Sequence, residues 1–326
     1  MIMNLKILIV IGALFCVAAA VVVKQSGLPE AKVTVRVVDE AKQPISGVNV
    51  RLGFQDRNDP RQLAKVEGLT DSAGLFTGQG GSDSVVGSTL RMPGYYDGSA
   101  PIPTFRDADE VGFRWLPWNP TCVAVMRKIG NPVPMHVRRL RWLEIPAISQ
   151  PCGFDLVVSD WVAPFGKGKV SDFVMILSRR YENRDDFDVE VKLSFSNPGD
   201  GIQEVKLPEE WRYSGFIWPR MAPESGYVSS LSARFGGKSG NDYYSTAAEK
   251  QAYFFRVRTV EQNRKIVSAL YGKIKDGIGV EGRETKTGAI YFTYYLNPTP
   301  LDRNMEWDPQ QNLLKGLSYE ETPRDP

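Results

Sequence analysis

The sequence predicts a mainly β protein: a hydrophobic N-terminal helix followed by two β-rich domains. Three observations carry this. Apolar residues alternate with polar ones in short runs such as Val33-Thr34-Val35-Arg36-Val37, the period of a half-buried strand. Turn-forming Gly, Pro, Asn and Asp separate such runs at intervals of about 8–12 residues, as in sandwiches and barrels. The length, 326 residues, suffices for two domains of about 100–200 residues each.

Composition narrows the function classes. With 42% hydrophobic and 24% charged residues, disordered, collagenous and multi-span membrane chains are excluded. The 40 Lys+Arg against 38 Asp+Glu leave a net charge of +2, too even for nucleic-acid binding through bulk charge. One histidine and three cysteines remove most metal and nucleophile chemistry, and no cofactor motif is present.

Residues 1–24 form the first element. Behind Lys6, Ile7 to Val23 is a run of 17 residues without a charged side chain. Two readings stay open: a signal peptide cleaved after Ala18-Ala19-Ala20, or an uncleaved anchor, which needs about 17–25 apolar residues. Val21-Val22-Val23 extend the run past the cleavage point and favour the anchor. Cys16 follows bulky Phe15, which disfavours lipidation. Both readings export the remainder to the cell envelope (periplasm or cell surface), with membrane contact through residues 7–23. Asn119-Pro120-Thr121 and Asn297-Pro298-Thr299 are proline-blocked glycosylation sequons, compatible with a bacterial source. In an oxidising compartment, Cys122 and Cys152 either form one bridge, worth about 3–4 kcal/mol, or are two unrelated buried thiols.

The first β domain spans about 31–128. Val33–Asp39 and Val48–Leu52 are strands joined by a turn at Glu40-Ala41-Lys42-Gln43-Pro44. Thr70-Asp71-Ser72-Ala73-Gly74 is a second turn, where Asp supplies a side-chain acceptor and Gly a free φ. It leads into Leu75-Phe76-Thr77, and Ser88–Met92 ends at Pro93-Gly94-Tyr95-Tyr96. Gly53–Gly68, with Arg57-Asn58-Asp59-Pro60, is expected to be a long loop. No helix-length amphipathic run occurs, so sheet-on-sheet packing is the expected solution.

The order Gln43-Pro44-Ile45-Ser46-Gly47-Val48, Thr70-Asp71-x-x-Gly74-Leu75-Phe76, Pro93-Gly94-Tyr95-Tyr96 resembles the carboxypeptidase regulatory-like domain. Lys42-Gln43 stands where that family commonly has Gly before the proline. The resemblance covers under a third of the chain. It implies a prealbumin-like, seven-stranded β-sandwich serving as an extracytoplasmic spacer or binding module, with no catalytic residues to carry over.

Gly130-Asn131-Pro132-Val133-Pro134 is expected to break regular structure and marks the boundary. Residues 130–300 read as a second β-rich domain, with strands at Phe154–Val158, Phe173–Leu177, Phe187–Phe195, Ala252–Val257 and Ala289–Leu296. Ser245–Gln251 and Asn263–Tyr271 are compatible with short helices. Residues 301–326 read as a polar, irregular tail.

The most site-like stretch runs from Asp160 to Asp172. Gly166 and Gly168 would let backbone N–H groups approach an anion, Lys167 and Lys169 add charge, and Trp161 and Phe165 offer stacking faces, with Asp160 and Asp172 at its ends. The competing reading is a long hairpin loop, since the nucleotide-loop spacing is absent. Asp185, Asp186 and Asp188 lack the ordered ligands of a calcium loop and read as a solvated turn. His136 has neither a Gly-x-Ser-x-Gly elbow nor a Ser-x-x-Lys pair to work with. Arg138, Arg139, Arg141 and Trp142 form a basic, aromatic cluster in which a strand would place Arg139 and Arg141 on one face. Trp115/Trp118 and Trp211–Trp218 are the densest aromatic places, either core or contact surface.

The expected function is a non-enzymatic binding or structural module of the cell envelope, contacting a protein or glycan partner and no nucleic acid. No catalytic or metal site is assigned. The alternative is a secreted glycan- or peptide-directed hydrolase with carboxylate catalysis in the C-terminal domain.

Overall fold

The computed structural model describes residues 27–56, 61–109, 112–238, 242–246, 251–283 and 286–326. The expected N-terminal helix lies outside them, as do Arg57-Asn58-Asp59-Pro60. Among the described residues no helix is long and apolar enough to cross a membrane.

The N-terminal sheet contains β1 (Glu30–Val38), β2 (Asn49–Gln55), β3 (Leu63–Leu69), β4 (Leu75–Gly81), β5 (Gly87–Arg91), β6 (Asp107–Asp109), β7 (Arg114–Leu116) and β8 (Thr121–Val125). Their order is β3-β2-β4-β1-β7-β6, with β5 on β2 and β8 on β1. That is eight strands, against the seven the resemblance implied. Alternation in the sequence becomes burial: Val33, Val35 and Val37 of β1 pack with Val48, Val50, Leu52, Phe54 and Leu90. The expected loop 53–68 is in large part a hairpin, Gln55 pairing with Leu63 and Asn49 with Leu69. Its strand β3 is an edge with one face open to solvent, so it lacks the apolar run that would have announced it.

The Thr70–Gly74 motif is a staple. The Asp71 carboxylate accepts from Ala73 and Leu75 N–H, while Thr70 Oγ1 donates to Ile45 O and accepts from Val48 N–H. Gly74 has φ +73°, and a Cβ there would fall 2.4 Å from Val37 O. Gly74→Ala is therefore expected to destabilise by about 1–3 kcal/mol, read as a lower melting temperature; an unchanged transition would remove the staple as a determinant of this sheet.

Twelve further strands follow: β9 (Val133–Glu144), β10 (Pro151–Asp155), β11 (Asp160–Trp161), β12 (Phe173–Asn183), β13 (Asp186–Ser194), β14 (Gly201–Val205), β15 (Ser230–Lys238), β16 (Asp242–Ser245), β17 (Ala252–Gln262), β18 (Lys265–Glu281), β19 (Ala289–Leu296) and β20 (Trp307–Asn312). They form two six-stranded sheets, β11-β10-β12-β13-β15-β16 and β14-β17-β18-β19-β9-β20. Leu140, Phe154, Phe173, Val189, Phe255, Ile274 and Phe292 fill one shared core between them. The second sheet is covered on its outer face too. Phe254 and Tyr271 point away from that core and pack with Phe216, Trp218, Met305 and Tyr96.

Several expectations are corrected here. Asn263–Tyr271 is not helical: Asn263 and Arg264, both at positive φ, make the two-residue hairpin turn that joins Gln262 to its partner Lys265. Ser245 ends β16, and 247–250 lie outside the described residues. Val133 and Pro134 open β9 rather than breaking structure. β10 stops at Asp155 because its carboxylate accepts from Val157 and Val158 N–H, closing a turn. The tail is ordered, with β20 paired in parallel to β9 and Trp307 fully buried.

A polar seam joins the N-terminal sheet to the outer face of the second. Glu306, 2% exposed, accepts from Tyr96 Oη (2.7 Å), Gly130 N–H (2.7 Å), Asn131 N–H (2.9 Å) and Arg220 (2.9 Å). Arg127 lies 3.8 Å over the Trp211 ring, donates to Phe216 O and Trp218 O, and pairs with Glu40. Arg220 bridges Glu40 and Glu306.

Candidate functional site

The 160–172 stretch is wired into itself. Asp160 accepts from Trp161 and Lys167 N–H. Asp155 accepts from Lys169 and Val170 N–H. Arg258 closes the base, donating to Asp172 at 2.8 Å and to Asp155 at 2.9 Å. Burial raises the Asp172 pKa, outweighing Arg258. Burial also pushes Asp155 upward, but three backbone N–H donors and Arg258 more than offset it and hold it low. Gly166 and Gly168 are required by the turn's own packing: a Cβ would sit 2.4 Å from Trp161 O and 2.8 Å from Asp160 O, respectively. Trp161 is buried edge-on against Phe154, leaving Phe165, Lys167 and Lys169 exposed. The six expected ligand contacts therefore divide, with Asp160, Trp161 and Asp172 building the loop and three remaining on its surface.

Of the two readings of Cys122 and Cys152, one bridge or two unrelated buried thiols, the structure has the second. Cys122 and Cys152 are free and buried, in separate cores, and burial raises both thiol pKa values, which makes them poor nucleophiles. The full chain, with its three cysteines, is expected to give three thiols with Ellman's reagent after denaturation without reductant; a count of one would mean that Cys122 and Cys152 are bridged. His136 is largely enclosed, its Nδ1 without a hydrogen-bond partner among the described residues, and burial lowers its pKa. Asp186 pairs with Arg180, and Asp188 takes both arms of Arg234. Trp218 is buried inside a core and Trp115 is half-buried against one.

A concave surface lies elsewhere, on the outer face of the second sheet. Arg139 and Arg141 line it together, as strand alternation requires, while Arg138 turns away to Ser159 and Glu321. Two bulges shape the place. In β9 the register slips so that Arg141 and Trp142 stand opposite Tyr291, with Trp142 at φ +52°. In β18 it slips between Lys275 and Gly279, with Asp276 at φ +65° and Gly277 at +72°. Bulges of this kind re-aim side chains beside functional sites, and left-handed backbone at a bulky residue persists only when its surroundings enforce it.

Trp142 and Tyr291 remain 53% and 40% exposed, their rings 5.7 Å apart and inclined by 42°. Tyr291 lies down over Gly279, where a Cβ would overlap its ring at 1.9 Å. Arg139, Arg141, Lys275, Asp276 and Thr293 complete a cavity of about 350 Å³. A second of about 700 Å³ shares Lys275 and Asp276 and runs toward Leu207 and Ile217. The end of the chain folds against this region: Arg141 pairs with Glu320, Lys275 with Asp325, and Arg139 N–H donates to Glu321 O. Sequence reasoning singled out Arg139, Arg141 and Trp142 but missed Tyr291, Lys275 and Asp276. The available signal was Asp276-Gly277 inside a β run, the mark of a bulge.

No family model matches the chain, and no curated protein matches it. Among solved structures, one described as a Streptococcal ancillary pilin is similar over 73% of this chain and 57% of that one, at 12% identity and a TM-score of 0.20. The chain thus spans just over half the length of that pilin.

Proposed function

We propose that this chain is a non-enzymatic binding module of the cell envelope, exported through its N-terminal segment and held at the membrane by residues 7–23 where that segment is retained. In this reading residues 31–128, with their likeness to carboxypeptidase regulatory-like domains, act as a spacer, and residues 130–300 present the contact surface to a glycan or envelope protein. The observation that carries it is the exposed Trp142–Tyr291 pair held between two bulges. The expected result is that the full chain in detergent co-sediments with detergent-washed cell-wall material, and that a Trp142→Ala/Tyr291→Ala double variant with unchanged melting temperature does not. Equal sedimentation of both would overturn the reading.

A second reading, the hydrolase, is favoured by one observation. Partial burial raises Asp276, with Asp325 adding to the effect, whereas Asp325, which burial would raise, is held low by Lys275. Two carboxylates flanking one lysine, with pKa values pushed apart, could divide the roles of acid and base. It predicts release of soluble fragments from the same material, abolished by Asp276→Asn.

A further inference from the structure

We propose that the double-bulge cleft binds a carbohydrate chain of near-neutral charge, stacked on Tyr291 and Trp142 and hydrogen-bonded through Asp276 and Arg139. This rests on the binding-module reading and names its ligand. A sugar ring has an apolar C–H face and a rim of hydroxyls that both donate and accept. The cleft supplies the matching parts. Two half-exposed aromatic faces form a wedge inclined by 42°, and the glycine beneath Tyr291 keeps its ring flat on the sheet. Beside them stand an acceptor, Asp276, and a donor, Arg139, neither of which has a side-chain hydrogen bond or ion pair among the described residues.

Charge balance sets the class of ligand. Arg141 and Lys275 are already neutralised by Glu320 and Asp325, which leaves one unpaired cation facing one unpaired carboxylate. An acidic polymer would find no excess of positive charge here. Backbone pairing argues against an extended peptide: β18 and β19 are interior strands, so the face offers no free N–H and C=O row for strand addition. Recognition must come from side chains, on rings rigid enough to lose little entropy.

The test is calorimetric titration of the full chain in detergent with cellohexaose, chitohexaose and, as the anionic-peptide alternative, hexaglutamate. At least one oligosaccharide is expected to bind. Trp142→Ala and Tyr291→Ala should each weaken it about tenfold or more with melting temperature unchanged, and Trp142→Phe should restore part of the loss. Oligosaccharide binding insensitive to both alanine variants overturns the assignment. Hexaglutamate binding that is lost in Arg139→Ala, with no oligosaccharide bound, overturns the carbohydrate ligand while leaving the face as a binding site. Silence of all three probes overturns both.

Discussion

Glu306→Ala is expected to cost about 3–5 kcal/mol, the range for removing one partner of a buried charge pair. The carboxylate is nearly inaccessible and serves four donors: Tyr96, two backbone N–H groups and Arg220. Burial alone would raise its pKa; those donors hold it below the ordinary glutamate value. Since the folded-state pKa is depressed, the stabilisation is present above the unfolded value and is lost as pH falls through the folded one. The variant should therefore melt lower at pH 7 by roughly 6–20 °C, and the gap to the wild type should narrow toward pH 3. Because the four donors come from both sides of the seam, the variant should also become cleavable near residues 127–132 under protease doses that spare the wild type. A Glu306→Ala transition within about 1 kcal/mol of the wild type at pH 7 would contradict the picture of a charged seam.

The second large effect has the opposite sign. Lys273 is fully buried on the outer face of the second sheet. Its Nζ donates to Met305 O at 2.8 Å and lies 4.6–5.2 Å from the ring centroids of Tyr295, Phe216 and Trp218. No carboxylate lies within ion-pair distance of it among the described residues. Burial drives its pKa well below the usual lysine value, against the partial help of the more distant Asp325 and Glu306 carboxylates. Between that folded-state value and the unfolded one, the native chain holds fewer protons than the unfolded chain, so stability rises with pH across the window and is constant at its lowest below it. Lys273→Met keeps the volume and deletes the charge. It is expected to stabilise by about 1–4 kcal/mol at the acid end of the window, by analogy with replacing buried ions by apolar groups, and to approach the wild type toward pH 10. Calorimetric melting of both chains at a series of pH values reads the difference directly. A difference that does not change with pH would mean that the amine stays protonated throughout.

How much of this was legible in the sequence follows from what each element exposes. β1 and β19 announce themselves because most of their inward residues are β-branched or aromatic at alternate positions, and β12 because large apolar Phe173, Met175 and Leu177 alternate along it. β3 and β20 did not. One is an edge strand half in water, and the other, Trp307-Asp308-Pro309-Gln310-Gln311-Asn312, is polar apart from the single buried Trp307. The hairpin at Asn263-Arg264 was obscured because Arg occupies the left-handed position where Gly normally signals the turn. In the candidate loop, the partners of its carboxylates were hidden for a reason of sequence distance. Asp155, Asp160 and Asp172 have the composition of a ligand site, but their partners include Arg258, 86 positions beyond Asp172. The cleft depends on register slips in two ladders, of which only the one at Asp276-Gly277 leaves a local mark. Trp142, Tyr291 and Asp276 become neighbours only once β9, β19 and β18 are laid side by side.

The place of β1 has a mechanical consequence. It is the first strand of the described chain, and it is held on one side by seven antiparallel pairs with β4 and on the other by five parallel pairs with β8. Tension applied to the residues ahead of Glu30 runs along these ladders rather than across them. Their hydrogen bonds are then sheared together instead of being unzipped one by one, so a strand placed to receive such a load is clamped along both edges.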